Sequence, residues 1–170
     1  MPDNFKDLYT PDYVQVQLEK FNNRYRNHWQ NHIALAKKLV ASYAPETPAR
    51  MLDLGCSIGT FALEFALIGY ETIGLDFDQN ALDQGRKLAH ELDCYPQWIC
   101  EDATSFELEK PVDFILCFDL FEHLTDEMIQ QMLQCVKQNL IKGGMVIFHT
   151  FPTEYDYLFY NNWSLNVPGI

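Results

Sequence analysis

Carboxylates recur in this chain at the ends of short apolar runs. The first run leads into Asp53-Leu54-Gly55-Cys56-Ser57-Ile58-Gly59-Thr60. Gly55 lets the chain turn sharply and lets a ligand approach the backbone closely. A helix after such a turn presents free N–H groups. A dinucleotide-binding loop would read G-x-G-x-x-G; here Ser57 and Thr60 stand where its second and third glycines belong. The next run, TIGLDFD, ends on Asp76, about 20 residues past the loop, where an acid can accept both hydrogen bonds of a ribose diol. Asp78 can cap the following helix, and Phe77 can pack on a flat base. Glu101-Asp102-Ala103 follows a third run; taken alone it reads equally well as a solvated acidic turn. A fourth run ends in Phe118-Asp119-Leu120-Phe121-Glu122-His123-Leu124. His123 has the side chain whose ordinary pKa suits a general base, and a purely structural histidine is the equal alternative.

The elements that must position these residues are legible from pattern. Apolar strand candidates are Met51–Leu54, Thr72–Leu75, Gln97–Cys100, Val112–Phe118 and Met145–His149. Helical spacing predicts helices over about Gly59–Ile68, Asn80–Leu92 and Asp126–Leu140 between them, the last capped by Thr125. Gly143-Gly144 is expected to break the chain before the fifth strand. Strand–helix alternation implies right-handed β-α-β units and a parallel sheet covered on both faces. Ligands of such sheets bind beyond the carboxyl ends of the strands, where each acid above falls. Ahead of the alternation, Thr10-Pro11 starts one helix, and a second runs from about His28 to Tyr43. This helical preface, residues 1–48, reads as a lid on a core over 49–170.

The stretch MLDLGCSIGTFALEFA resembles the first motif of class I, Rossmann-like S-adenosylmethionine-dependent methyltransferases, an acid followed by G-x-G-x-G. Asp53, Gly55 and Gly59 agree with it, and Ser57 replaces the middle glycine. The stretch DFILCFDLFEHL resembles the fourth motif of the small-molecule members. The resemblance spans about Arg50 to Thr150. It implies a three-layer α/β fold with strand order 3-2-1-4-5 and S-adenosylmethionine as cofactor. It also implies cofactor contacts from Asp53, Gly55, Cys56, Gly59, Asp76, Phe77, Asp102, Ala103 and Phe118: the methionine end at the first loop, the ribose at Asp76, the adenine at Asp102-Ala103. The acceptor would be a small molecule, more readily a hydroxyl than a nucleic-acid base, with His123 as the base. Asp119, Glu122 and His123 also resemble a D/E-x-x-E-H pattern that assists a metal in some members; the reading adopted has no metal. The alternatives are a nucleotide-dependent oxidoreductase, and a cofactor-binding domain without its own complete acceptor site.

Charge narrows the partners. Asp plus Glu number 24 against 12 Lys plus Arg, a net charge of −12. Such a chain repels phosphate backbones, so neither nucleic acid nor an anionic membrane is an expected partner. No run is long and apolar enough to span a bilayer, and the N-terminus has no signal-peptide pattern. A cytoplasmic protein is expected. The five scattered cysteines read as reduced thiols. The tail is rich in aromatics: Tyr155, Tyr157, Phe159, Tyr160 and Trp163 could wall an acceptor pocket. No hairpin pattern follows the fifth strand, so the core is expected to be truncated at its C-terminal end, with more strands and a further domain of the same polypeptide downstream.

Overall fold

The computed structural model describes residues 10–26, 28–43 and 49–150. Five strands form one parallel sheet: β1 (Arg50–Leu54), β2 (Glu71–Asp76), β3 (Gln97–Cys100), β4 (Val112–Phe118) and β5 (Leu140–His149). Their order is β3-β2-β1-β4-β5, the order that the methyltransferase resemblance implied. The helices are α1 (Pro11–Asn22), α2 (Trp29–Tyr43), α3 (Thr60–Ala66), α4 (Gln79–Glu91) and α5 (Asp126–Asn139). A 3-10 turn covers Phe121–His123.

Period-two alternation sorts the strand residues between two faces. Leu52, Leu54, Ile115 and Cys117 pack with Met132, Cys135 and Val136 of α5. Met51, Phe114, Leu116 and Phe118 pack with Phe61 and Phe65 of α3 and with Ile33, Ala36 and Val40 of α2. A third cluster joins Val14 and Phe21 of α1 to Leu63 of α3 and to Ala81, Leu88 and Ala89 of α4. The two N-terminal helices are therefore part of the packed body.

Caps fall where the sequence placed them. Thr10, Asp78 and Thr125 accept from the N–H groups of Tyr13, Asn80 and Met128 at 3.3, 2.9 and 3.3 Å. The N-terminal helices are fastened through Glu64 of α3, which is 1% exposed. Its carboxylate takes Arg24 Nε at 2.6 Å and Tyr25 OH at 2.5 Å on Oε1, and Lys37 Nζ at 2.7 Å on Oε2. Burial alone would raise Glu64; the bonds from Lys37, Tyr25 and Arg24 outweigh it and hold the group below its ordinary value.

Two features differ from expectation. The glycine pair does not precede β5 but lies inside it. The β4–β5 register passes from Val112↔Leu140 to Phe114↔Met145, so residues 141–144 are absorbed as an irregularity. Gly143 has φ +83°, and a Cβ on Gly144 would sit 2.7 Å from Leu140 and 2.8 Å from the Asp113 carbonyl. Gly59, read as a ligand-facing glycine, also packs closely on another side chain. A Cβ there would lie 2.4 Å from the Trp98 ring; Cβ atoms on Gly74 and Gly85 would lie 2.8 and 2.6 Å from it. Three glycines from α3's N-cap, β2 and α4 make room for one indole of β3.

Gly74→Ala should therefore destabilise the fold by about 1–3 kcal/mol, the cost of overpacking a filled core. In a Trp98→Leu background the same change should cost markedly less, as urea denaturation of the double-mutant cycle would show. Equal costs in both backgrounds would mean that the niche is not what needs glycine.

Candidate functional site

The site is built on the loop between β1 and α3. Gly55 leaves the strand at φ +73°, and Ser57 and Gly59 also adopt positive φ, 51° and 77°. The Gly55 and Cys56 N–H groups both donate to the Leu75 carbonyl at 2.9 Å. Two buried carboxylates complete the clamp. Asp76 accepts from the Ser57 N–H on Oδ2 at 2.7 Å and from the Asp78 N–H on Oδ1 at 2.9 Å. Asp53 accepts from the Ala62 N–H in the first turn of α3 at 2.9 Å. Carboxylates at a helix N-terminus are favoured by the exposed N–H groups and the dipole.

Both acids are strained electrostatically. Asp53 is 2% exposed, and burial pushes it up to about 7, against the lowering effect of the Ala62 N–H. Asp76 is raised as well, first by burial, with the Asp78 and Ser57 N–H groups opposing. A cation brought beside them would favour their ionised forms and lower both values.

Beyond the strand ends lies a cavity of about 640 Å³, within the range of small-molecule sites. Asp53, Gly55, Cys56, Phe118 and His123 line it. A smaller recess beside it is lined by Gly55, Asp76, Phe77 and Ala103. Two expected residues stand apart. Gly59 lines neither space and packs on Trp98. Asp102 lines neither; its Oδ1 accepts from the Thr104 N–H at 3.0 Å and hydroxyl at 2.7 Å, so the carboxylate folds back to close its own turn. Glu101 takes the place at the recess instead.

The sequence reads the N-terminal helices as a lid but does not single out the residues that roof the cavity. Tyr13, Gln17 and Lys20 of α1, at i, i+4 and i+7, face the cavity, and Tyr13 reaches the recess too. That spacing was the available signal, outweighed by the apolar stripe of Val14, Leu18 and Phe21 beside it. Burial, reinforced by Asp76, pushes Tyr13 up to about 12, so it meets a ligand as a neutral phenol. Also missed was His149 at the end of β5. Its Nδ1 lies 2.7 Å from Asp119 Oδ1, and its ring stacks on Phe118, centroids 5.2 Å apart. The alternative grouping of Asp119 with Glu122 and His123, which the reading adopted did not take up, is not among the metal-ligand clusters of the described residues. Asp119 instead meets His149 and His32, while Glu122 accepts from the Thr150 hydroxyl at 2.9 Å. The tail aromatics from Tyr155 to Trp163 lie outside the described residues.

A family model described as a methyltransferase domain matches residues 51–144. The chain belongs to that family. The matched span runs from β1 into β5 and contains both carboxylate clamps of this methyltransferase domain. The ubiquinone biosynthesis O-methyltransferase of Rickettsia prowazekii (strain Madrid E) is 25% identical over 158 residues, 84% of this chain and 62% of that protein. The chain thus spans about three fifths of the length of that relative. Among solved structures, the PH0226 protein of Pyrococcus horikoshii OT3 superposes with a TM-score of 0.74 at 20% identity, over 92% of this chain and 69% of that one. An S-adenosylmethionine-dependent methyltransferase of Clostridium acetobutylicum ATCC 824 gives 0.67 at 18%, over 82% and 57%. At those identities the match is one of fold, and the fold is the Rossmann-like one expected. Among the described residues, no helix is long and apolar enough to cross a membrane.

The raised Asp53 has a measurable consequence. A carboxyl whose folded pKa lies above its unfolded one binds its proton more tightly in the folded state, so stability falls as pH rises between the two values. Here that window runs from the ordinary carboxylate range to about 7. Relative to Asp53→Asn, which keeps an acceptor for the Ala62 N–H without the charge, the wild type should lose on the order of 2 kcal/mol between pH 5 and pH 8. Urea denaturation at the two pH values checks this; parallel curves for the two proteins would show that Asp53 is not strained.

Proposed function

We propose that this chain binds S-adenosylmethionine across the ends of β1, β2 and β4 and directs its methyl group to a small-molecule acceptor, at a hydroxyl oxygen. The observation that carries this reading is the acidic cavity built on two buried carboxylates. Asp53, Asp119 and Glu122 line the main cavity, and Asp76 and Glu101 the recess. Such walls favour a ligand bearing an ammonium and a sulfonium and repel a pyrophosphate. The residues fit the cofactor on a second count: the Ser57 hydroxyl is buried and has no hydrogen-bond partner, although Ser57 lines both spaces. A buried polar atom in that state calls for a ligand's polar group. A nucleotide-dependent oxidoreductase is disfavoured by the same acids and by Ser57 and Thr60 in place of glycines.

In this reading Asp53, Gly55 and Cys56 hold the methionine end, with Phe118 as a wall. Asp76 and Phe77 receive the ribose and one face of the base. Asp76 can do so while keeping its two backbone bonds, because each carboxylate oxygen has a second acceptor site. Ala103 offers its backbone to the adenine, and Asp102 shapes the turn that presents it. The cofactor supplies an activated methyl electrophile. The protein supplies alignment and a dry enclosure, the latter from α1 through Tyr13 and Gln17. His123 lines the cavity on the 3-10 turn, its N–H bonded to the Leu120 carbonyl at 3.0 Å. There it serves as the base that takes the acceptor's hydroxyl proton. Hydroxyl rather than nitrogen is favoured by the relative's name, ubiquinone biosynthesis O-methyltransferase.

Calorimetry with S-adenosylhomocysteine tests the cofactor, and turnover with labelled S-adenosylmethionine against hydroxyl-bearing small molecules tests the rest. Asp76→Ala should weaken binding by about 1–3 kcal/mol, a charge-assisted contact. His123→Ala should lower turnover by roughly 10²–10⁴ with cofactor affinity nearly intact. Undiminished turnover in His123→Ala would remove it as the base; binding of NADH in preference to S-adenosylhomocysteine would overturn the whole reading.

A further inference from the structure

A second cluster sits where the carboxyl ends of β4 and β5 meet α2. Asp119 follows β4, His149 ends β5, and His32 lies one turn into α2. One nitrogen from each imidazole and one carboxylate oxygen all lie within 4.8 Å of one another. The Asp119 Oδ1 to His149 Nδ1 distance is 2.7 Å, and the His32 and His149 rings are 4.4 Å apart at their centroids.

Two observations go beyond proximity. His32 Nδ1 is buried and has no hydrogen-bond partner. A buried polar atom left without a partner is costly, and the cost would be removed by a ligand to that nitrogen. Asp119 also holds φ 54° without being glycine, a conformation that persists only where its surroundings enforce it and that gathers at functional sites. The enforcing contact is visible: the Asp119 N–H donates to the His149 carbonyl at 2.9 Å, which locks two of the three residues to each other through the backbone.

The geometry points to a site for one zinc-class divalent cation, held by His32, Asp119 and His149. Two imidazoles and one carboxylate are a donor set for zinc or its first-row neighbours, whereas magnesium takes oxygen ligands. Ligand atoms about 2.0–2.2 Å from zinc in a tetrahedron stand roughly 3.4 Å apart. The Asp119–His149 pair has to open slightly and the widest pair to close by up to about 1.4 Å, adjustments within reach of side-chain rotation. The fourth position is left to water or a ligand. A cation there would tie α2 to the ends of β4 and β5. It would also set a positive charge beside Asp119, which lines the main cavity.

The test needs no methyl transfer. The 170-residue chain, stripped of metal with a chelator, is titrated with Co²⁺ and then Zn²⁺. One equivalent of Co²⁺ should give visible absorption without the strong near-ultraviolet band of thiolate ligation, and Zn²⁺ should displace it and raise the Tm. Magnesium at the same concentration should do neither. His32→Ala, on a helix that tolerates alanine, should weaken Zn²⁺ binding by on the order of 100-fold or more. Asp119→Asn provides a second variant should the first not fold. The proposal is overturned by failure to bind one equivalent, by undiminished affinity in either variant, by a thiolate band that puts the cation on cysteine, or by equal binding of magnesium.

Discussion

The rest of the site depends on two carboxylates, Asp53 and Asp76, kept out of water and satisfied by backbone N–H groups. Asp76 draws the Ser57 N–H inward and Asp53 anchors the first turn of α3 through the Ala62 N–H. The Gly55 and Cys56 N–H groups converge on one carbonyl of β2. The loop between them is thereby held at positive φ at three of its five residues. Each charge-assisted bond contributes about 1.5–3 kcal/mol, and each carboxylate pays in desolvation, which is why Asp53 rises to about 7. The arrangement is stable and yet leaves the acids short of positive charge. A cation-bearing ligand resolves that shortage; a phosphate would deepen it.

A second carboxylate arrangement fixes the roof. Glu64 belongs to the same helix that Asp53 anchors. It holds Arg24 and Tyr25, just beyond α1, and Lys37 of α2. The loop, the helix it opens and the helices that cover the cavity therefore form one connected polar chain. The floor and the roof of the cavity share α3. If the cluster of His32, Asp119 and His149 takes a cation, the other end of α2 is fastened too, directly to the sheet.

The parallel sheet was legible because apolar runs alternating with helical periods imply β-α-β units, and its strand order came with the methyltransferase resemblance. The acids at the strand ends were legible because ligands of such sheets bind there. Asp53, Gly55, Cys56, Asp76, Phe77, Ala103, Phe118 and His123 all line the cavity or its recess. What was hidden depends on contacts between distant residues. Gly59 fits a ligand motif by spacing, yet its hydrogen faces Trp98, and nothing in either segment announces that three glycines share one indole. Asp102 follows β3 like a ligand residue but is drawn back by Thr104 two positions on, a local competition that spacing does not reveal. The Gly143-Gly144 pair reads as a break because glycine usually punctuates, whereas here it permits a register change within β5. His32 and His149 are separated by most of the chain, and only the fold brings both to Asp119.

The two buried carboxylates fix the positive-φ loop between β1 and α3 in one conformation. Amide hydrogen exchange at Ser57 and Ala62, read by NMR in the absence of cofactor, tests it most directly. Both amides should be strongly protected, with Ser57 losing protection in Asp76→Ala and Ala62 losing it in Asp53→Ala while the β1–β2 ladder stays protected. Exchange at Ser57 and Ala62 as fast as in an open loop, or protection indifferent to the two substitutions, would contradict it.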